Sequence, residues 1–390
     1  MIFSGERIMN GNKLNKSVMI AVACTAMLTF SATYSVMKYS DLKKLKEFQL
    51  LAEAENIIAK HFYYDASDSE KLIDSAVGGY VSALEDPYSR YQSIKQTEER
   101  SESHSGLKTG VGITVLNRED GYMEVVEVNP KTPAEKAGMQ SGDIIKKLDG
   151  SDVKDMGYEE AVNVIKTGEV DSVIRITVER EGNIIDFDVK REKIDIITAT
   201  SEMIDNIGLI KISQFNDKTP EQVKSCFDDC VGKGAKGIIF DVRNNGGGLV
   251  TAVEKCLDPL LPEGKIAVAI YKDGKEETIV SSDAEETDMP MTVLMNGNSA
   301  SGAELFAASL RDFKGAELVG ETSYGKGIMQ DTFSLSNGST VVLTVAEYKT
   351  TKSECYHGIG LKPDYEVLPG DGGEDVQLSK ALEVIKNKIV

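Results

Sequence analysis

Within residues 291–312, MTVLMNGNSASGAELFAASLRD, a serine stands where an apolar strand gives way to a helix. Residues 291–295 form a short run of strand type, Asn296-Gly297-Asn298 has turn chemistry, and residues 304–310 have helical composition. Ser301 falls at the corner between them. The peptide N–H of Gly302 is expected in the first turn of that helix, where unpaired donors and the positive end of the dipole favour a developing negative charge. Such a corner suits a hydroxyl that attacks a carbonyl and has its oxyanion held. The same letters, Ser301-Gly302-Ala303-Glu304, also spell a capping box, in which a serine merely closes a helix.

A serine nucleophile needs a base. The chain has three histidines, His61, His104 and His357, and none lies in a segment where a base for Ser301 is expected, so a Ser/His/Asp arrangement is poorly supported. Downstream, in residues 320–330, GETSYGKGIMQ, one lysine is set between two glycines. Glycines on both sides let the backbone come close and leave little side-chain cover, which suits an amine aimed into a narrow site. Burial can lower a lysine pKa from about 10.4 towards neutrality, because desolvation penalises the ammonium. Lys326 is therefore the candidate base, the alternative being a solvated lysine in a glycine turn.

NGNSASGAE followed by GETSYGKGIMQ resembles the active-site signature of the C-terminal processing peptidases, or tail-specific proteases. The resemblance implies Ser301 as nucleophile, Lys326 as base, and Gln330, which closes the G-K-G-x-x-Q pattern, as the residue that orients the lysine. Gly302 and Ala303 stand where Ala and Ser are more usual, changes that keep the backbone donor. In residues 241–249, DVRNNGGGL, the glycine loop after a buried-type strand suits an anion and lacks the order of a phosphate-binding motif. By resemblance to the DLRxNPGG loop it supplies the second oxyanion donor, which carries over to Gly247. Gly246 replaces the usual proline, and the donating glycine stays open by one position.

These residues need a scaffold. Residues 207–212, the amphipathic 219–231 with Pro220 at its start, and 237–243 read as strand, helix and strand, which predicts an α/β layer. The resemblance implies a core of the ClpP/crotonase type. Residues 271–280 read as a hairpin around Asp273-Gly274, 339–348 as a strand and 378–389 as a final helix. His357 opens a segment resembling the closing GI-x-PD of these proteases and reads as structural. Residues 105–192 alternate strands and short helices over the size of a small domain and resemble a PDZ domain. There Gly110, Val111, Gly112 and Ile113 match the loop whose N–H groups receive a peptide's terminal carboxylate, with residues 158–165 as the helix lining the groove. Lys166-Thr167-Gly168 stands where relatives often have Arg-Gly, so coupling of peptide binding to activation does not carry over by resemblance alone.

Upstream, residues 41–84 read as helical, with DPYS at 86–89 resembling a family turn. Residues 17–37 carry no charge and are long enough to cross about 30 Å of hydrocarbon. The expected layout is a short cytoplasmic tail (1–16), a transmembrane signal anchor (17–38), an N-terminal helical region (39–100), the PDZ domain (105–192) and a protease core (193–390). A cleaved signal peptide is the alternative to the anchor, and family resemblance places the body outside the cytoplasm. A chain of 390 residues holds two or three domains, and its net charge of −19 argues against nucleic acid. Of five cysteines, Cys24 lies in the apolar span and Cys226 and Cys230 share a helical face; no metal pattern is visible and no cofactor is expected.

Two functions of different class follow. One is a membrane-anchored serine endopeptidase that recognises protein C-termini, with a homodimer through the N-terminal helices implied by relatives. The other is a non-catalytic peptide-binding anchor in which the Ser/Lys pair never meets.

Overall fold

The computed structural model describes residues 48–64, 69–283, 286–370 and 373–389. The expected anchor at 17–38 lies outside the described residues. Among those described, no helix is long and apolar enough to cross a membrane. The chain divides into two units, Met1–Ala76 and Val77–Val390. Described helix in the first covers residues 48–61, and the expected helical run breaks after it, resuming at Ser69–Ser82.

The second unit is built on two sheets with helices between them. One sheet runs in the order Ala199–Ile204, Ile207–Ile212, Gly237–Asp241, Met291–Met295, Glu317–Gly320, Tyr365–Glu366, antiparallel at its first pair and parallel thereafter. Its central strands Gly237–Asp241 and Met291–Met295 are buried at every position, as expected of parallel strands covered on both faces. The helix Val376–Lys386 covers one face through Ala381, Val384 and Ile385. On the other lie Thr219–Gly232, Val250–Leu257 and Gly302–Lys314.

The second sheet is antiparallel and joins Arg90–Gln92, Thr340–Thr350, Gly264–Tyr271 and Glu276–Ser282, with Ile328–Ser334 pairing onto Thr340–Thr350. Gly302–Lys314 is sandwiched between the sheets, and every residue from Gly302 to Leu310 is buried. Burying Leu305, Phe306 and Leu310 stabilises the fold by roughly 1.5–3 kcal/mol each. That fixes the helix start, and with it Ser301.

The PDZ-like module has its own sheet, Ile113–Asn117, Met123–Val128, Ile144–Leu148, Val173–Arg180, Asn183–Lys190, and its own core around Met123, Ile145, Ile176 and Val178. Helix Tyr158–Lys166 packs Ala161 and Ile165 into that core. A separate two-stranded ribbon, Leu107–Gly110 against Glu192–Asp195, joins the module's entry to its exit.

Candidate active site

Strand Met291–Met295 runs through the turn at Asn296 to Ser301, which has φ 54° and ψ −117°. A side chain at positive φ outside the small left-handed well costs on the order of 1–3 kcal/mol and persists only where surroundings impose it. Two contacts impose it here. The Ala300 N–H donates to the Asn245 carbonyl, and the Ser301 N–H donates to Glu304 Oε2 at 2.7 Å. The second is the reach-back half of the capping box, so the structural reading of Glu304 holds while Ser301 itself sits in a strained corner.

Glu304 does more than cap. It is fully buried, and besides the Ser301 N–H its carboxylate accepts the Ser323 hydroxyl, the Gly325 N–H at 2.7 Å and the Lys326 N–H at 2.8 Å. One buried carboxylate thus ties the serine corner to the lysine turn. Charge-assisted bonds of this kind are about twice as strong as neutral ones, and no sequence pattern beyond the cap pointed to this role.

The glycines beside Lys326 are there for close approach. Gly325 has φ 88°, and a Cβ on it would stand 2.8 Å from the Gly360 N; on Gly327 a Cβ would stand 2.8 Å from Cys355 Sγ. Residues 355–360 therefore roof the turn, and the Gly358 N–H donates to the Gly325 carbonyl. His357 lies in this roof, its ring 6.2 Å from that of Tyr88.

Lys326 Nζ stands 4.9 Å from the centre of the Tyr88 ring. Burial pushes its ammonium below the ordinary 10.5, and the charges of Arg90 and Arg100 push the same way, against Asp86 and Glu304. Tyr88 and Arg90 belong to the DPYS turn and the strand after it, so that segment supplies part of the lysine's environment. Among the described residues no hydrogen bond joins Lys326 Nζ to Ser301 Oγ; the serine oxygen instead meets the Tyr348 hydroxyl at 3.4 Å.

Among the described residues no hydrogen bond joins Gln330 to Lys326. A bulge between Met329 and Gln330 sets Gln330 opposite Thr344, and its amide donates to Thr344 Oγ1 at 3.3 Å and to the Ile328 carbonyl at 3.5 Å.

The glycine loop does reach the serine. A Cβ on Gly247 would stand 2.7 Å from the Gly302 N and 2.9 Å from Ser301 Cβ, so only glycine fits. The Gly247 N–H, however, donates to Asn245 Oδ1 at 2.8 Å. The N–H groups of Gly248 and Gly302 carry no hydrogen bond among the described residues, and a Cβ on Gly302 would lie 3.3 Å from the Gly248 N. Asn245, also buried, anchors the loop by donating from its amide to the Ile212 carbonyl at 2.9 Å.

In the PDZ-like module, Gly110, Val111, Gly112 and Ile113 line a small cavity of about 70 Å³ together with Val162, Ile165 and Ile194. The N–H groups of Val111 and Gly112 have no partner among the described residues. Lys108 and Lys166 border the same cavity; burial and then the charge of Lys166 lower the Lys108 pKa. No group of histidines, cysteines and carboxylates able to hold a metal ion is found among the described residues.

A family model described as Peptidase family S41 matches residues 206–367, one for the PDZ domain matches 109–190, and one for the activating protease CtpB N-terminal domain matches 18–96. The carboxy-terminal processing protease CtpA of Bacillus subtilis (strain 168) is 34% identical over 394 residues, spanning 96% of this chain and 84% of that protein. The chain belongs to peptidase family S41. It is a serine-type peptidase of the C-terminal processing group and carries a PDZ domain. A probable CtpA-like serine protease of Staphylococcus aureus (strain COL) is 32% identical over 372 residues, covering 94% of this chain and 73% of that one. Among solved structures, a putative S41 protease from Bacteroides fragilis NCTC 9343 superposes with a TM-score of 0.50 at 15% identity, over 84% of this chain and 92% of that one, a likeness of fold. The photosystem II D1 C-terminal processing protease gives 0.48 at 27% identity, over 85% and 90%.

Proposed function

We propose that this S41 peptidase captures the C-terminus of a protein substrate in its PDZ groove and cleaves a peptide bond through an acyl-enzyme on Ser301, with Lys326 as general base. The observation that carries the reading is Glu304, whose one carboxylate holds the backbone of both Ser301 and Lys326. Ser301 Oγ attacks the scissile carbonyl carbon and its proton passes to Lys326 Nζ. The oxyanion is held by the N–H of Gly302 and that of Gly248. Support for Gly248 over Gly247 is the Asn245 side chain, which already occupies the Gly247 donor. Collapse expels the amine, which takes the proton from Lys326. Water, deprotonated by the same lysine, then releases the new C-terminus. For this the ammonium must leave the Tyr88 face as a neutral amine and reach the serine, a tightening ordinary between resting and substrate-bound sites.

In the groove, the free N–H groups of Val111 and Gly112 suit a terminal carboxylate, with Lys108 and Lys166 adding positive charge. A cavity near 70 Å³ lined by Val111, Val162 and Ile165 suits a small apolar last side chain. The uncharged residues 17–37 would hold the chain in a membrane by one span, with the catalytic body outside the cytoplasm. Exposed Phe48, Leu51 and Ile57 on the N-terminal helix support pairing with a second copy.

The test uses the full chain and an unfolded reporter protein ending in alanine or valine. Cleavage is expected in the native enzyme, lost in Ser301→Ala and in Lys326→Ala, and slowed when the reporter's C-terminus is amidated. Cleavage that survives in Lys326→Ala refutes the proposed base. Equal cleavage of amidated and free reporters refutes carboxylate capture.

A further inference from the structure

Tyr348 lies on the long strand Thr340–Thr350, wholly buried behind the serine and the lysine turn. It grips that turn twice. Its backbone N–H donates to the Gly327 carbonyl at 2.9 Å, and its hydroxyl donates to the Lys326 carbonyl, also at 2.9 Å. The same hydroxyl oxygen is 3.4 Å from Ser301 Oγ. A phenol carries one hydrogen, and a carbonyl can only accept. The shorter contact takes that hydrogen, and the longer one, in which the tyrosine is again the geometric donor towards Ser301 Oγ, is a weak second contact of the same O–H.

We infer that Tyr348 is a positioning residue for the Ser/Lys pair, fixing the carbonyl of the lysine turn firmly and the serine hydroxyl loosely; this rests on the proposed roles of Ser301 and Lys326. The two distances give the two grips different strength. A bond of 2.9 Å is of ordinary length, whereas 3.4 Å lies beyond the usual range for hydroxyl pairs, so the serine oxygen is steadied only weakly and stays able to turn towards Lys326. Burial raises the pKa of the phenol, which keeps the hydroxyl protonated and its hydrogen on the Lys326 carbonyl. The neighbouring Tyr356, its ring 6.0 Å away, is equally buried and interacts with Tyr348, so it belongs to the same cluster. Tyr365, on the edge strand Tyr365–Glu366 with its hydroxyl on Glu317 Oε1 at 3.3 Å, serves as the control.

Native enzyme, Tyr348→Phe, Tyr365→Phe and Lys326→Ala are compared for kcat and KM on the reporter and for the rate at which a fluorophosphonate labels Ser301, with thermal melting to verify folding. Removing a positioning hydroxyl while keeping the ring is expected to lower kcat and labelling together by roughly 10- to 100-fold with KM within about twofold. Tyr365→Phe should stay within about twofold of native in all three. Unchanged or raised kcat in Tyr348→Phe overturns the inference, as does an equal loss in Tyr365→Phe. An active Lys326→Ala would instead overturn the dyad itself, so the two failures are distinguishable.

Discussion

The candidate active site and the PDZ groove treat their backbone donors in opposite ways. At the serine corner one buried carboxylate absorbs three N–H groups and a hydroxyl, and Asn245 takes a further donor from the glycine loop. What stays open there is the pair at Gly248 and Gly302. In the groove almost nothing is absorbed: Val111 and Gly112 leave their N–H groups free, and Lys108 and Lys166 have no carboxylate partner among the described residues. A buried donor without an acceptor costs about 1–3 kcal/mol. The chain therefore closes the donors that shape the site and leaves open those that a ligand or an oxyanion would complete.

The sharpest way to break this contrast is Glu304→Gln. An amide has one acceptor oxygen and brings two hydrogens towards groups that already donate, so both the serine corner and the lysine turn lose support. Cleavage is expected to fall by on the order of 10²- to 10³-fold and stability by about 2–4 kcal/mol, while binding of a C-terminal peptide to the groove is unchanged. Reporter kinetics, denaturant melts and peptide titration check the three parts. A smaller, more local effect is expected of Gly247→Ala, whose Cβ must displace the Gly302 N or Ser301 Cβ. Here kcat should drop by about 100-fold, the scale of losing one oxyanion donor, with a local loss of stability of about 1–2 kcal/mol from the strained φ. The mildest is Lys108→Gln. It should raise KM for a free C-terminus several-fold, an effect of about 1 kcal/mol, and leave labelling of Ser301 by a small phosphonate untouched. Loss of labelling in that variant would mean the two regions are not separate.

The parts of the site confined to one segment were legible in the sequence. A strand, a turn and a helix start place Ser301, and the two glycines at Lys326 announced a close approach that Gly360 and Cys355 make. The central strands Ile207–Ile212 and Met291–Met295 were legible as apolar runs. Contributions set by register were not. Tyr348 faces Ser301 because its strand pairs with Gly264–Tyr271 and Ile328–Ser334 in a particular alignment, and nothing local in TVVLTVAEYKT reveals that. The bulge at Met329 turned Gln330 to Thr344 for the same reason. Glu304 was visible only as a cap, since its other partners lie about twenty positions downstream. Tyr88 read as a turn residue, and its ring under Lys326 is a tertiary fact.

The claim on which the rest depends is that Lys326 works as an uncharged amine. Its most direct test is the rate of Ser301 phosphonylation followed from about pH 5 to about pH 11 in the native chain and in Lys326→Ala. A lysine whose pKa is lowered by burial, Arg90 and Arg100 loses its proton earlier on a rising pH scale, so the native rate should climb through one ionisation with its midpoint below 10.5 and then level off. In Lys326→Ala that step should vanish. A midpoint at the ordinary lysine value, or the same rise without the lysine, would contradict the account.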